Sequence, residues 1–355
     1  MKNNLNIFRK QIDAVDKEIV GLLDKRASAI KEIARIKNNI KKEVYDPARE
    51  AQVLEKVRQA SKGKFPANGL EAVFNEIFSA SRVLQKKIRV IFFGAPASYT
   101  HMAAMKRFGR QAEYIPAANT KDVFMEVEKG NADYGCVPIE NSTEGAVNYT
   151  YDMFADFDLK ICSEVMLSIK HHLLSNEKNL AAIKTVYAHP QALAQCREWI
   201  ENNIPKAKLK EASSNSKGAQ LAAQEKGAAA IAGELAAEMY GLKIVATAIQ
   251  DIADNYTRFF ILGNTISKKT GNDKTSIMVS IKDKVGALYK LLKPFEKYKI
   301  NLTSIESRPS KKKAWDYYFF VDINGYIEDE KVKKAIEEIK KECGYVKVLG
   351  AYPKF

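Results

Sequence analysis

The first candidate chemistry in this sequence lies in basic residues on one long amphipathic segment, residues 5–40. Numbered as heptads from Leu5, its a and d positions are apolar except for Arg26, and Lys37 lies beside this stripe. A buried guanidinium without an anionic partner is costly, so Arg26 requires a negative charge nearby. About 16 Å of helix separates Arg26 from Lys37, so two long side chains can converge on one small anion. The a and d positions are Leu5, Phe8, Ile12, Val15, Ile19, Leu22, Arg26, Ala29, Ile33, Ile36 and Ile40.

A third basic residue, Arg9, lies beside the same stripe, roughly 33 Å below the level of residue 31 on a continuous helix. If two copies of the helix pair antiparallel about a point near residue 20, Arg9 of the second copy arrives at that level. We therefore expect a homo-oligomer, a dimer or a tetramer, in which each site takes one arginine from the other chain. The alternative is that these charges are solvated flanks of a coiled coil, or that Arg26 pairs with a core carboxylate.

Two shorter helical segments supply polar groups to the same unit. Asp46 stands where an N-cap belongs, so Arg49 and Glu50 face together near the start of the second helix. The third helix ends with Ser81 and Gln85 one turn apart. A cation-rich pocket with hydroxyl-reading groups, but no Cys, His or metal cluster, suits a reaction that needs only positioning and electrostatic stabilisation.

These residues resemble the all-helical chorismate mutase family over residues 1–87, because its pattern of Arg, Arg, Lys, D-x-x-R-E and S-x-x-x-Q is present. The resemblance implies a rearrangement of chorismate to prephenate without a cofactor or metal. It also implies three sets of roles. The substrate carboxylates bind Arg9 of the second copy, Arg26 and Arg49; the ether oxygen accepts from Lys37 and Gln85; the ring hydroxyl is read by Asp46, Glu50 and Ser81.

The middle of the chain carries polar stretches that follow predicted strands. They are GAPASYTHMAA (94–104), VPIENSTEGAV (137–147), AHPQALAQC (188–196) and NYTRF (255–259). Open α/β sheets place ligand sites at strand ends, although any one such cluster is also a common turn or helix cap. Together these stretches resemble prephenate dehydratase over residues 88–265.

That resemblance implies two α/β lobes with the site in the cleft, a layout similar to periplasmic binding proteins. It implies Thr257 as the acid or hydrogen-bond donor to the departing hydroxyl and Arg258 as an anion partner. It further implies that Asn141, Ser142 and Gln195 are polar groups lining the cleft. The product is phenylpyruvate, formed by loss of CO2 and water.

The C-terminal segment has two short motifs that resemble the ACT regulatory domain. DKVGALYKLL (283–292) begins a helix directly after a strand, and SIESRPS (304–310) ends the next strand. The resemblance implies a phenylalanine site between paired domains. Its residues are Gly286, Ala287 and Leu288 at the helix start of one chain and Glu306, Ser307 and Arg308 of the other. The alternative interpretation is that these residues only cap a helix and form a charge pair on an edge strand.

The elements that position these residues divide the chain into three predicted domains. Residues 1–87 form an all-α unit of three helices, 5–40, 46–62 and 68–87. Residues 88–265 alternate strands with helices, which favours an α/β domain with largely parallel sheets. After a polar linker at 264–275, residues 275–355 follow a βαββαβ order, typical of a small ferredoxin-like domain. Its elements are a strand (276–282), a helix (286–298), strands (301–308 and 316–323), a helix (328–341) and a strand (345–350).

The net charge, the apolar runs and the cysteines indicate which classes of protein this chain can belong to. The 355 residues carry a net charge of +14, of which residues 1–87 hold +8 (19 Lys and Arg against 11 Asp and Glu). Excess positive charge suits either nucleic acid or a small polyanion. No apolar run approaches the roughly 18 residues of a membrane span, and the N-terminus resembles no signal peptide. The four cysteines are isolated, so we expect reduced thiols in a cytoplasmic protein.

The favoured interpretation is a member of the bifunctional chorismate mutase–prephenate dehydratase family, with feedback inhibition by phenylalanine and no nucleic-acid or membrane partner. The alternative of another class is a basic, ligand-responsive nucleic-acid regulator. Against it, Arg26 lies inside the apolar stripe and KGKFPANG (62–69) does not resemble the turn of a helix-turn-helix. A narrower alternative keeps only one active catalytic domain, or replaces prephenate with arogenate.

Overall fold

The N-terminal domain is helical, as expected. The computed structural model describes residues 2–39, 43–281, 284–310 and 317–354, so Ile40, Lys282, Asp283 and Asp316 of the predicted elements lie outside the described residues. Asp46 caps the second helix by accepting a hydrogen bond from the Arg49 backbone N–H at 3.0 Å. The helices are α1 (Lys2–Asn39), α2 (Pro47–Ala60) and α3 (Ala67–Val83).

Two lobes follow. The first lobe contains β1 (Arg89–Phe93), α4 (Tyr99–Phe108), β2 (Glu113–Ala117), α5 (Thr120–Glu128), β3 (Tyr134–Asn141), β4 (Gly145–Ala146), α6 (Asn148–Asp156) and β5 (Lys160–Ser168). The second lobe contains β6 (His172–Ser175), β7 (Thr185–Ala188), α7 (Pro190–Gln195), α8 (Arg197–Asn203), β8 (Lys208–Glu211), α9 (Asn215–Ala222), β9 (Ala228–Ala232), α10 (Glu234–Tyr240) and β10 (Lys243–Ala246). The chain then returns to the first lobe as β11 (Tyr256–Gly263).

The prediction of largely parallel sheets was wrong, because both lobes are mixed. In the first lobe β1 is parallel to β2 and β3, whereas β11 is antiparallel to β3 and β5. In the second, β7 is parallel to β8 and β9, whereas β6 is antiparallel to β9 and β10. Antiparallel pairing arises because β11 re-enters the first sheet from the other lobe, between two strands already in place. The chain therefore crosses between the two lobes twice, before β6 and after β10.

The C-terminal domain has the predicted βαββαβ order. Its elements are β12 (Asp273–Ile281), α11 (Ala287–Lys297), β13 (Leu302–Pro309), β14 (Tyr317–Asn324), α12 (Glu330–Glu342) and β15 (Tyr345–Pro353). Its sheet, ordered β13-β14-β12-β15, continues into the first lobe through β15 and β5 at the pair Gly350 and Ile161. A Cβ on Gly350 would overlap the Ile161 carbonyl oxygen, so this close approach requires glycine.

The segment predicted as a linker, residues 264–275, is packed rather than free. Ser267 is buried, its hydroxyl donates to the Cys162 carbonyl at 2.5 Å, and its own carbonyl accepts from the Tyr326 hydroxyl at 2.8 Å. Asp273 is buried at the start of β12. The polar composition of this segment therefore reflects hydrogen bonding to two domains, and the C-terminal domain is held firmly against the first lobe.

Candidate functional site

The polar cluster of the N-terminal domain forms where α1 crosses α3. Arg26 donates to the Ser81 hydroxyl, and its guanidinium lies 5.8 Å from the centre of the Phe78 ring. Burial lowers the pKa of Arg26, and nearby Glu50 opposes that shift. Gln85 donates to the Ser81 carbonyl at 3.2 Å, while its Oε1 is buried and has no hydrogen-bond partner among the described residues. Arg26 and Ser81 are 55 positions apart in the sequence. The stripe predicted an anionic partner for Arg26, whereas its hydrogen-bond partner is this neutral hydroxyl, with Glu50 nearby.

The carboxylates of the predicted set are each held by a cation outside it. Glu50 pairs with Arg82, whose Nη2 also donates to the Phe108 carbonyl of the first lobe at 2.8 Å. Asp46 pairs at 2.9 Å with Lys268, from the segment that joins the two-lobed and C-terminal domains. These hydrogen bonds lower the pKa of Asp46 against the opposing effect of burial. The sequence interpretation missed both cations.

The remaining basic residues of the set lie apart from one another within one chain. Lys37 donates to the carbonyls of Glu43 and Val44 at 3.0 and 2.9 Å. Arg9 and Arg49 are exposed, so this chain alone does not bring Arg9 to the cluster. The apolar stripe below Arg26 is also exposed, with solvent-accessible fractions of 48–62% for its six members from Leu5 to Leu22.

A second candidate site is a cavity of about 720 Å³ between the two lobes. The lobes contribute the turn at Gly94–Ser98 and Thr257 from one side, and Gln195 with residues 213–216 from the other. None of the described residues that line it is Asp, Glu, Lys or Arg. The size suits a small organic ligand. Neutral groups must therefore supply its polar contacts.

Thr257 is held in this cavity by Asn141. The Asn141 Nδ2 donates to Thr257 Oγ1 and to Asn255 Oδ1, both at 2.8 Å. Its Oδ1 accepts from the backbone N–H groups of Thr143 at 3.0 Å and Glu144 at 3.1 Å, which fixes the amide orientation. Because Thr257 accepts from an amide N–H that can only donate, its own proton is free to point toward a ligand.

Two predicted cleft residues lie elsewhere. The Ser142 hydroxyl accepts from the Tyr256 backbone N–H at 2.9 Å and donates to the Asp254 carbonyl at 3.3 Å, so it anchors the start of β11 instead of lining the cavity. Arg258 is buried on the face of β11 opposite Thr257 and pairs with Glu164. The prediction that Arg258 is an anion partner in the cleft was therefore wrong, because adjacent residues of a strand face opposite ways.

A hydrogen-bonded relay that the sequence did not reveal joins both lobes. His171 contacts the Tyr99 hydroxyl through Nδ1 at 2.8 Å and Gln195 Oε1 through Nε2 at 2.9 Å. The Gln195 amide in turn donates to Glu144 at 3.3 Å. Burial lowers the pKa of His171. Tyr99, Glu144, His171 and Gln195 lie on separate segments of the chain. The only sequence feature that could have indicated this relay is the pair of adjacent histidines, His171 and His172.

A second buried histidine supports the turn that forms the cavity edge. His101 stacks on Phe92 with ring centroids 4.5 Å apart, and its Nδ1 accepts from the Ala97 backbone N–H at 3.1 Å. Ala97 has φ of 63°, which is uncommon for a residue with a Cβ. Burial lowers the pKa of His101 to about 4. The imidazole is therefore neutral and can accept this hydrogen bond near pH 7.

Two helices present their N-termini to the cavity, namely α4 after Ser98 and α9 after Ser214. Each cap serine accepts a backbone N–H of its own helix, from His101 at 3.3 Å and from Lys217 at 3.0 Å. Helix N-termini favour anions through their backbone N–H groups and dipoles. The sequence interpretation overlooked ASSNS (212–216), although serine before a helical segment is a known start signal.

The residues predicted for effector binding divide between two faces of the C-terminal domain. Gly286 has φ of 78° and precedes α11, and Leu288 and the neighbouring Val285 are exposed. On edge strand β13, Ser307 is exposed, whereas Arg308 points toward the first lobe and pairs with Asp152 at 3.2 Å. The alternation of the strand therefore separates Ser307 from Arg308. Ala287 begins α11, and Glu306 lies half-buried on the Arg308 face.

Within the described ranges, no three His, Cys, Asp or Glu side chains group as a metal site would require. No helix there has the length and apolarity to cross a membrane.

Three family models match successive parts of the chain. They are Chorismate mutase type II over residues 8–86, Prephenate dehydratase over residues 90–267 and the ACT domain over residues 275–341.

Two relatives match nearly the full length of this chain. The bifunctional chorismate mutase/prephenate dehydratase of Aquifex aeolicus is 47% identical over 354 residues, which cover 99% of this chain and 98% of the relative. The protein of the same name from Pseudomonas aeruginosa is 41% identical, with the same coverage. Among solved structures, the prephenate dehydratase of Arthrobacter aurescens in complex with L-Phe is similar, with a TM-score of 0.69 and 33% identity. That match covers 75% of this chain and 89% of the other.

Proposed function

Because the chain belongs to the family of bifunctional chorismate mutase/prephenate dehydratases, we propose which of its residues carry out each of the two reactions. The first rearranges chorismate to prephenate, and the second converts prephenate to phenylpyruvate with loss of CO2 and water. Each reaction is assigned to a separate domain, so variants can separate them.

The mutase site is assigned to the cluster around Arg26. Arg26, Arg49 and Arg9 of a second copy hold the two substrate carboxylates, and Lys37 and Gln85 donate to the ether oxygen. Asp46, Glu50 and Ser81 bind the ring hydroxyl. No proton moves in the rearrangement, so the site accelerates it by holding the substrate compact and by stabilising charge on the breaking C–O bond. The observation that supports this assignment is the Arg26–Ser81 contact beside Glu50.

The mutase site is completed by a second copy of the chain. The exposed apolar stripe of α1 from Leu5 to Leu22, called the α1 seam below, is too long and apolar to remain in water. An antiparallel second α1 covers it and carries Arg9 to the level of residue 31. The homo-oligomer is thus a requirement of the site, and a dimer suffices.

A complementation experiment tests this shared site. Arg9→Ala and Lys37→Ala chains are each inactive as mutases when alone. Random mixing after unfolding and refolding gives hybrid dimers in which one of two sites is intact, so mutase activity returns to about a quarter of the wild-type value. A mixture as inactive as its parents contradicts the shared site. Lys31→Ala, on the opposite face of α1, is the matched control and retains activity.

The dehydratase site is assigned to the cavity around Thr257. Thr257 donates its proton, or a strong hydrogen bond, to the departing hydroxyl while the carboxylate is lost as CO2 and the ring becomes aromatic. Threonine is a weak acid, so electrostatic support of the leaving group is its main contribution. Gln195 and the N-termini of α4 and α9 bind the substrate carboxylates, since the cavity has no cationic side chain among its described residues. The single observation that carries the assignment is the Asn141 hydrogen bond that leaves the Thr257 proton free.

Phenylalanine is proposed as the feedback inhibitor that binds between paired C-terminal domains. Support comes from the exposed start of α11 at Gly286–Leu288 and from the exposed edge strand β13. Arg308 is excluded from direct contact while it pairs with Asp152, so Ser307 and the N–H groups of α11 are the expected ligands. Calorimetry that detects no phenylalanine binding at millimolar concentration contradicts this proposal.

The cytoplasm is the proposed compartment. The four cysteines are free, and three of them are buried. Burial raises the pKa of the Cys162 thiol to about 12, so it is a structural, unreactive group.

A further inference from the structure

The guanidinium of Arg258 occupies a different environment from its neighbour Thr257. Its side chain is 7% exposed, and its Cζ lies 4.8 Å from the centre of the Phe260 ring, two residues along the same face of β11. Thr257 and Phe259, on the other face, line the cavity. One strand therefore carries a cavity residue and a buried cation at consecutive positions.

Arg258 belongs to a buried ionic network with balanced charge. It pairs with Glu164 of the first lobe at 2.7 Å and with Asp322 of the C-terminal domain at 2.6 Å. Lys274 pairs with Glu164 at 2.9 Å, which gives two cations and two carboxylates. The guanidinium also donates to the Tyr352 hydroxyl at 3.1 Å. These partners outweigh the opposing effect of burial and raise the pKa of Arg258.

Most of this network is supplied by the C-terminal domain. Asp322, Lys274 and Tyr352 lie on β14, β12 and β15, respectively. Ser276 of the same sheet donates to Asp322 at 2.5 Å and hydrogen-bonds Tyr352 at 2.7 Å, so the acceptors that face Arg258 are themselves fixed. The position of Arg258 therefore depends on the arrangement of three strands of another domain.

The backbone beside Thr257 is paired irregularly on one edge of β11. In the pairing of β11 with β3, Arg258 lies opposite Glu140 but Phe259 lies opposite Pro138, so Ile139 is an extra residue. A bulge interrupts the hydrogen-bond ladder, and proline has no N–H to contribute to it. On its other edge β11 pairs regularly with β5 from Tyr256 to Ile261, so only the β3 side of this strand is weakened. The side-chain contacts of Arg258 add to the backbone pairing at the position where Thr257 enters the cavity.

We propose that Arg258 is a positioning residue through which the C-terminal domain sets the placement of Thr257 in the dehydratase cavity. The inference rests on the proposed function of Thr257. A shift of β12, β14 and β15 moves the guanidinium, and the rigid peptide link transfers this movement to the adjacent residue. The C-terminal domain then affects dehydration without any residue of its own in the cavity.

Asp322→Asn tests the proposal with a nearly isosteric change. It removes one carboxylate charge that faces Arg258 and leaves Thr257 unchanged. We expect dehydratase kcat to fall on the order of 10- to 100-fold, as small misplacement of a reacting group does. The KM for prephenate changes little, because the groups assigned to carboxylate binding are not on β11. Mutase activity on the same sample reports that the chain is folded.

Two further variants keep the test decisive if Asp322→Asn folds poorly. Tyr352→Phe removes only the hydroxyl that Arg258 contacts, and it lowers kcat in the same direction by a smaller factor. Arg258→Lys retains more dehydratase activity than Arg258→Met. Lys347→Met is the matched control. Lys347 also joins the two domains, because it donates to the Phe154 and Phe157 carbonyls at 3.1 and 2.7 Å, and these residues do not belong to β11.

The outcomes separate this inference from the function on which it rests. If Thr257→Val abolishes dehydration while Asp322→Asn and Tyr352→Phe keep the wild-type kcat, Arg258 has no positioning role and the assignment of Thr257 stands. An equal loss in Lys347→Met and Asp322→Asn also overturns the inference, since any domain contact would then be equivalent. If Thr257→Val remains active, the assignment of Thr257 itself fails.

Discussion

The mutase region and the dehydratase region handle anionic substrates with different kinds of groups. Around Arg26 the chain presents long cationic side chains on helices, and it leaves an apolar seam exposed beside them. The described residues that line the dehydratase cavity include no Asp, Glu, Lys or Arg, and their polar groups are hydroxyls, amides, imidazoles and helix N-termini. The first region depends on a second copy for completion, whereas the second is assembled within one chain.

This contrast has a structural reason. Flexible arginine and lysine side chains reach across the gap between two helices, so they suit a site shared by subunits. Backbone N–H groups at helix starts and a hydrogen-bonded threonine are fixed by the surrounding fold, so they suit a site enclosed by two lobes. Variants should therefore affect the two activities independently, and the following predictions test that independence.

Thr257→Val has the largest expected effect. It removes the hydroxyl that supports the departing group, so dehydratase kcat falls on the order of 10²- to 10⁴-fold. Steady-state assays of both reactions on one sample measure this, and mutase activity is unchanged. Thr257→Ser retains the hydroxyl and serves as the control, with much of the activity preserved. A parallel loss of both activities would show that Thr257 supports folding.

Lys37→Ala is the corresponding change in the mutase region. Loss of a donor to the ether oxygen lowers mutase kcat on the order of 10²- to 10³-fold, as removal of one charge-stabilising donor does elsewhere. Dehydratase activity, assayed with added prephenate, is retained. Lys31→Ala keeps both activities. Normal turnover of chorismate by the Lys37→Ala protein would end the assignment.

Val15→Asp sharpens the claim that the mutase site needs a second chain whereas the dehydratase site does not. Charge in the α1 seam disfavours pairing of two helices, so mutase activity falls on the order of tenfold and becomes dependent on protein concentration. Light scattering reports the subunit state, and Ala14→Asp, away from the seam, is the control. An unchanged oligomer with reduced mutase activity would contradict the seam as the interface.

His101→Gln tests whether the dehydratase domain is built around neutral imidazoles. The pKa of His101 is about 4 in the folded chain, below the value of roughly 6.5 in an unfolded one. The unfolded state therefore binds the proton first as pH falls, so stability is full above about pH 6.5 and is lost progressively toward pH 4.

Between pH 7 and pH 5 this group removes about 2 kcal/mol of unfolding free energy. Urea titrations at both pH values should show a smaller difference for His101→Gln than for the wild type. Tyr114→Phe, which contacts the same ring but keeps the histidine, preserves the full pH dependence. Identical pH dependence in the His101→Gln protein would show that His101 does not titrate in this way.

Much of the fold followed from sequence pattern alone. The heptad stripe predicted one long helix, which the structure confirms as α1, although the anionic partner expected for Arg26 is replaced by the Ser81 hydroxyl. The alternation of strands and helices predicted an α/β domain followed by a βαββαβ domain, and the order of elements in the structure confirms both. These features are local, because a period of 3.6 or 2 residues is set by backbone geometry.

Three features could be found only in the assembled chain. The mixed sheets depend on where β11 re-enters, which no local period specifies. The relay through Tyr99, His171, Gln195 and Glu144 joins residues of four segments. Arg258, which the family resemblance implied as an anion partner in the dehydratase site, pairs instead with Glu164 of the first lobe and Asp322 of the C-terminal domain, and only the packing of the two domains decides this.

The sequence by itself determined the residue types, the order of elements and the faces on which side chains lie, since these follow from covalent geometry and local periodicity. Tertiary structure decided what covers each face, because contacts such as Arg258 with Asp322 or Asp46 with Lys268 depend on the packing of segments far apart in the chain. A buried cation can bind a substrate or a carboxylate of its own chain. Only the residues packed around the cation show which of these two partners it binds.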